Sequence, residues 1–412
     1  MNLPPELVLQ IFRWATWPPP HIKFSAEYHP FSCSNMTVPV DDHRVELKLK
    51  YNLALVSRQW RNLSSQFLYE HITFGRGSDD VIVPSASWLK TTGYGRYAMS
   101  VQICHSLSGD EPLSDSYEVW MPILDKCPNV QLIMRPWWAK AGGTFITQPS
   151  EPSPSFSAPT MLSEPSCLAN VTRLEWEYSV HFNIRLFHDT VLCLPNLLWL
   201  SVTSIVGAGT GGRALQTVWR NVLHLPQLTT LCLRIENAMM YRISHRWTLP
   251  KLTNLIIEEQ DVSIGGTNVR IMRALFEKLG QTLEVLELGR GKYKHFRQSD
   301  LVSLAVSLCP KLHILSIFAL YTMVPAATHT AIAAKSLRHV HLHAEVAPGD
   351  KLPLESTTKH MRRHIEWFRQ YEELEYLTLH GDWSDILKDP GTSRALANTK
   401  LIVKSENGTA WP

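Results

Sequence analysis

Leu312-His313-Ile314-Leu315-Ser316-Ile317 sets the pattern on which this chain is built. Its last two apolar residues alternate with a polar one, the period of a strand with one buried face. The same spacing, three apolar residues at the first, fourth and sixth positions, returns along the chain. It reads Val171-x-x-Leu174-x-Trp176, Leu197-x-x-Leu200-x-Val202, Leu228-x-x-Leu231-x-Leu233 and Leu252-x-x-Leu255-x-Ile257. It continues in Leu283-x-x-Leu286-x-Leu288, Leu337-x-x-Val340-x-Leu342 and Leu374-x-x-Leu377-x-Leu379. Successive copies start 26, 31, 24, 31, 29, 25 and 37 residues apart, and a degenerate copy begins at Val130 after Cys127-Pro128-Asn129. Helical patterns fill the intervals. Leu215, Val218, Trp219 and Val222 share one face over 213–223, Leu301, Leu304, Ala305 and Leu308 over 299–308, and Met361, Ile365 and Phe368 over 359–371. Ser299 or Asp300 can cap the second of these, and Cys309-Pro310 stops it. One helix and one short strand cannot bury both apolar faces alone. Stacked on neighbouring copies they can.

This phrasing resembles the leucine-rich repeat, whose period is roughly 20–29 residues with longer units where loops are inserted. The resemblance implies an α/β solenoid, irregular in period, with parallel strands on the concave face and helices outside. Strand alternation turns the second and third apolar residues of each phrase inward, so the residues around them line the concave face. Arg173, Glu175 and Glu177, Trp199, Ser201 and Thr203, and Thr230, Cys232 and Arg234 fall there, as do Asn254, Ile256 and Glu258, then Val285 and Glu287. Ile314, Ser316 and Phe318, then His339, His341 and His343, then Tyr376, Thr378 and His380 complete it. Exposed aromatics mixed with charges suit a protein-binding patch. Trp199, Arg234, Phe318 and Tyr376 are therefore the expected target-binding residues.

The start of the chain is written differently. Residues 3–12 read Leu-Pro-Pro-Glu-Leu-Val-Leu-Gln-Ile-Phe and residues 53–63 read Leu-Ala-Leu-Val-Ser-Arg-Gln-Trp-Arg-Asn-Leu. Pro4 and Pro5 suit a helix's first turn, and Glu6 favours its positive end. Leu3, Leu7 and Ile11 then recur every four residues, and Leu49, Leu53, Val56, Trp60, Leu63 and Phe67 follow i+3 and i+4 steps. Two short helices this apolar cannot bury their faces on each other alone, so some surface is expected to meet a partner. Together these residues resemble the F-box, the helical module that docks onto the Skp-type adaptor of SCF ubiquitin ligases. The wording is especially close to that of F-box proteins of mushroom-forming fungi, which continue much as Phe67-Leu68-Tyr69-Glu70-His71-Ile72 does. The resemblance implies that Leu3, Pro4, Leu7, Ile11, Val56 and Trp60 make or support the adaptor-facing surface. The cullin would be reached through that adaptor, and the repeats would hold a protein target for ubiquitin transfer. A repeat-based interaction scaffold without a cullin is the alternative. Residues 16–46 depart from a compact F-box, whose halves lie close together, and leave its middle helix unplaced. The expected division is an F-box at 1–70 with an inserted loop at about 16–46, then an irregular repeat region at 71–412 with a Pro/Ser-rich loop at 144–166.

Composition narrows the function classes. A net charge of +3 over 412 residues is no electrostatic footprint for nucleic acid or an acidic membrane. The seven cysteines are scattered, with no Cys-x-x-Cys pair, so neither a disulfide framework nor a zinc site is indicated. With no apolar run long enough to span a bilayer, an intracellular location in cytoplasm or nucleus is expected. Gly207-x-Gly209-x-x-Gly212 matches the dinucleotide fingerprint, but the leucine phrasing runs unchanged on both sides of it; an inter-repeat turn is the better reading. His339, His341 and His343 share one face of a strand and could in principle bind a metal, yet no carboxylate or cysteine is fixed beside them by sequence. No cofactor and no catalytic residue is assigned, and a non-catalytic subunit is expected.

Overall fold

The computed structural model describes residues 3–16, 27–31, 40–74, 86–103, 117–135, 166–179, 184–205, 222–235, 237–259, 269–289, 301–324, 336–345 and 354–409. The Pro/Ser-rich loop, the glycine fingerprint and most of the predicted helix at 213–223 lie outside them. Two compact units form: residues 1–25 with 37–197, and residues 26–36 with 198–412.

The first unit opens with three helices, α1 (Pro5–Ala15), α2 (Val40–Val56) and α3 (Arg58–Leu68). Pro5 occupies the first turn of α1, and the Pro4 carbonyl accepts from the Leu7 and Val8 amides. Ser57 separates α2 from α3, its hydroxyl accepting from the Trp60 amide at 3.1 Å. Val8, Phe12 and Phe67 form the core of this bundle, with Leu9, Leu53, Trp60 and Leu63 packed against it. The Phe12 ring meets Trp60 edge-on at 4.8 Å and Phe67 at 6.3 Å. Arg13 ties α1 to the end of the bundle through both Glu70 oxygens, at 2.7 and 2.9 Å, and lies over the Phe67 ring. Helix α2 begins at Val40, inside the expected insertion at about 16–46.

Four parallel strands follow in the same unit: β1 (His71–Phe74), β2 (Ser100–Ile103), β3 (Leu132–Arg135) and β4 (Arg173–Ser179). The degenerate phrase at Val130 supplies β3. It pairs in register with the next phrase, Ile133 opposite Leu174. The phrases at Val130, Val171 and Leu197 are each entered through an asparagine whose side chain donates to a backbone carbonyl of the preceding repeat. Asn129 reaches Arg96 O at 2.7 Å, Asn170 reaches Pro128 O at 2.8 Å and Asn196 reaches Ala169 O at 2.7 Å. These bonds fix one repeat on the next at a solvent-facing edge. Replacing any of the three by alanine should cost about 0.5–1 kcal/mol, read as a lower urea midpoint; an unchanged midpoint in all three would show the bonds to be dispensable.

The second unit repeats the scheme eight times. β5 (Trp199–Ile205), β7 (Thr230–Ile235), β9 (Asn254–Glu259), β10 (Val285–Leu288), β11 (Ile314–Phe318), β12 (His339–His343), β13 (Tyr376–His380) and β14 (Ile402–Ser405) pair in parallel, in that order. The short strands β6 (Leu223–His224) and β8 (Trp247–Thr248) pair separately, so Leu223, the last residue of the predicted 213–223 helix, is strand. Each phrase contributes one strand, and its three apolar residues are buried, as at Leu228, Leu231 and Leu233. Helices Val269–Leu279, Leu301–Leu308 and Leu354–Phe368 lie between strands, the first burying Met272, Leu275, Phe276 and Leu279. The predicted helix ending at Cys309-Pro310 is therefore present. Burial at Cys309 pushes its thiol up to about 12, which leaves it inert. The fold is thus a mixed α/β repeat array with parallel strands. Strands β1, β2 and β14 are additions to the eight phrases and their degenerate copy.

Candidate functional site

Two surfaces combine the residues singled out by the sequence. The first belongs to the helical bundle. Beside the Val8–Phe12 side that turns inward, Leu3 just ahead of α1 and Leu7, Ile11 and Trp14 on it form a flank, spaced three or four residues apart. Leu3, Leu7 and Ile11 are 45–48% exposed and Trp14 77%. At the end of α2, Leu55 and Val56 are exposed as well. An amphipathic helix in a folded protein ordinarily shows water its polar face; α1 does so through Glu6, Gln10 and Arg13, but shows water an apolar flank as well. Of the expected adaptor-facing residues, Leu3, Pro4, Leu7, Ile11 and Val56 are exposed, and Trp60 is half-buried against Phe12.

The second surface is the sheet face of the second unit that the leucines leave behind. Strand register aligns its residues in rows across the strands. One row runs Ser201, Cys232, Ile256, Glu287, Ser316, His341, Thr378. Beside it, Thr203, Arg234 and Glu258 align in one part of the sheet and Phe318, His343 and His380 in another.

Alternation places Trp199, Arg234, Phe318 and Tyr376 on this face as expected, but they are not the exposed patch the sequence suggested. Trp199 and Phe318 are fully buried, Arg234 is 6% exposed, and Tyr376 is half-buried. The cover comes from far away in the chain. Residues 27–31, Glu-Tyr-His-Pro-Phe, belong to the second unit, and Tyr28 and Phe31 lie on the face. Tyr28 packs against the Trp199–Cys232–Ile256 cluster. Its hydroxyl donates to Glu287 Oε2 at 2.8 Å and lies 2.7 Å from Ser316 Oγ. The Phe31 amide donates to the same Glu287 oxygen at 2.8 Å. The Phe31 ring sits in a box of Phe318, His343 and His380, with centroids 4.8, 4.9 and 4.9 Å away. Phe31 takes φ = 60°, a left-handed conformation that costs a phenylalanine roughly 1–2 kcal/mol. The contacts at both of its ends hold it there.

Glu287 is the centre of this arrangement. It is wholly buried, and burial pushes its carboxyl up to about 7. The Phe31 amide and Tyr28 hydroxyl pull the other way, Glu258 adds to the rise and Arg234 lowers it. Its second oxygen, Oε1, meets no hydrogen-bond donor among the described residues. Arg234 is paired with Glu258, its Nη2 donating to Oε1 at 3.1 Å. Sequence reading placed Glu287 on the face without singling it out, and it missed Tyr28 and Phe31. A carboxylate between Leu286 and Leu288 in mid-sheet, and two aromatics three residues apart within the insertion, were the available signals.

The histidines are engaged with each other and with the neighbouring strand. His339 Nε2 lies 2.8 Å from Thr378 Oγ1, and His341 Nδ1 lies 2.8 Å from His380 Nε2. Burial, reinforced by the neighbouring imidazoles, pushes His341 down to about 3; burial also lowers His380, to about 4, against the pull of Glu406. Neutral rings sharing protons make a polar lining. No group of three His, Cys, Asp or Glu side chains is placed to hold a metal ion among the described residues. Nor is any helix among them long and apolar enough to cross a membrane.

No protein-family model and no curated protein matches the chain. Among solved structures, the chain aligns with a protein from Bacteroides fragilis at 11% identity and a TM-score of 0.41, over 83% of this chain and 76% of that one. It also aligns with the leucine-rich repeat-containing protein LegL7 from Legionella pneumophila at 13% identity and a TM-score of 0.41, over 83% of this chain and 92% of that one.

Proposed function

We propose that the chain is the substrate-recognition subunit of an SCF-type ubiquitin ligase. In this reading residues 1–70 hold a Skp-type adaptor, and through it a cullin, while the repeats hold a protein target. The observation that carries it is the apolar outer side of α1, with Leu3, Leu7 and Ile11 each nearly half exposed above a bundle core already closed by Val8, Phe12 and Phe67. A helix side of this kind, together with the exposed Leu55 and Val56 at the end of α2, suits docking onto a helical partner. The chain then makes and breaks no bonds itself; it positions a target. Co-purification of the full chain with a Skp-type adaptor and cullin tests the reading, and recovery of neither would refute it. The parallel repeat array favours a second reading, a protein-interaction scaffold that engages no cullin. Recovery of a stable protein target without adaptor or cullin would select it.

A further inference from the structure

We propose that the sheet face around Glu287 is a peptide-binding groove occupied in cis by Tyr28–Phe31, and that its external ligand is a protein segment carrying tyrosine three residues before phenylalanine. The proposal deepens the target-binding reading of the repeats by naming the chemistry of the target. Two features of the bound segment carry it. The cover is ligand-like: Tyr28 and Phe31 meet the sheet face without joining the sheet as a strand, 256–288 residues away in sequence from the groups they hydrogen-bond. Its contacts are also specific. One carboxylate oxygen receives both a tyrosine hydroxyl and a backbone amide, and an aromatic box of Phe318, His343 and His380 takes the phenylalanine ring. A shape-filling loop needs neither. The left-handed φ of Phe31 adds the reason that the cis segment can be displaced. A trans segment reaching the same oxygen and the same box from an unstrained backbone would hold the groove better than the chain's own residues do.

The test uses a fluorescein-labelled peptide of residues 26–32, Ala-Glu-Tyr-His-Pro-Phe-Ser, titrated by anisotropy against the full chain and its Tyr28→Ala/Phe31→Ala variant. The variant should bind the peptide at least tenfold more tightly than the wild type, because its groove is vacated. A peptide with both aromatics changed to alanine should bind neither. A folded variant that ignores the peptide overturns the proposal and makes residues 27–31 an integral part of the core. If the variant does not fold, hydrogen exchange on the wild type decides. Exchange of the Phe31 amide at least tenfold faster than the slowest amides of β11 supports displacement, and exchange at the same rate overturns it. The assay does not involve the adaptor. Peptide binding without adaptor recovery would therefore refute the ligase assignment alone, and the reverse would refute this groove alone.

Discussion

The double substitution Leu3→Ala/Pro4→Ala should remove a Skp-type adaptor from the pull-down while leaving the chain's melting temperature unchanged. Leu3 is half exposed and lies outside the bundle core, so its truncation opens no cavity. Pro4 contributes a backbone carbonyl to the first turn, and alanine retains that carbonyl. At a docked interface the arithmetic differs. Truncating one apolar anchor costs about 2 kcal/mol or more, roughly thirtyfold in Kd, and two neighbouring anchors lower affinity well below what a wash step retains. Phe12→Ala is the contrasting control. That ring is fully buried between Trp60 and Phe67, and its loss should cost about 3–5 kcal/mol of bundle stability. Adaptor loss there should come with a lowered unfolding midpoint. Undiminished recovery of adaptor by the Leu3/Pro4 variant would end the assignment of this face.

The repeat array was legible because burial leaves a periodic trace. Every phrase from Val171 to Leu374 places apolar residues at the spacing a strand needs, and each supplies one strand. The strands that escaped lack the phrase. β1 is only His-Ile-Thr-Phe, β2 is entered through Ala98-Met99 in place of a leucine, and β14 has Ile402 and Val403 followed at once by Lys404. Their place in the ladder comes from pairing with a neighbour, a tertiary fact that local periodicity does not record. The candidate site divides the same way. Alternation assigned Trp199, Arg234, Phe318 and Tyr376 to the correct face, since side-chain direction is a local property. What covers that face is not local. Tyr28 and Phe31 arrive from the other end of the chain, so residues expected to meet solvent are buried. The helical face could be read earlier, because Leu3, Leu7 and Ile11 exceed what a bundle this small can enclose.

The Glu287→Gln variant should gain stability over the wild type as pH rises, by on the order of 3 kcal/mol between about pH 4 and about pH 8. The carboxyl titrates near 4.5 when unfolded and near 7 in the fold, chiefly through burial. Below both values it is protonated in either state and folding carries no ionisation cost. Between them the unfolded chain releases the proton while the folded chain retains it. Stability therefore falls as pH rises through this window and levels off above the folded value. Glutamine still offers a side-chain oxygen to the Tyr28 hydroxyl and the Phe31 amide but cannot ionise. Other groups titrate over part of the same range with the opposite sign. His341 and His364 are held neutral with values pushed to about 3, and His380 to about 4, so the stability they contribute is present above their unfolded value near 6.5 and lost as pH falls toward the folded one. For that reason the wild-type profile alone does not isolate Glu287, and the difference between the two proteins does. Urea midpoints measured for both across that range supply it. A gap that stays constant with pH would mean that Glu287 ionises in the fold as it does in water. The carboxylate would then have to be solvated, and the cover formed by Tyr28 and Phe31 would not seal this part of the sheet.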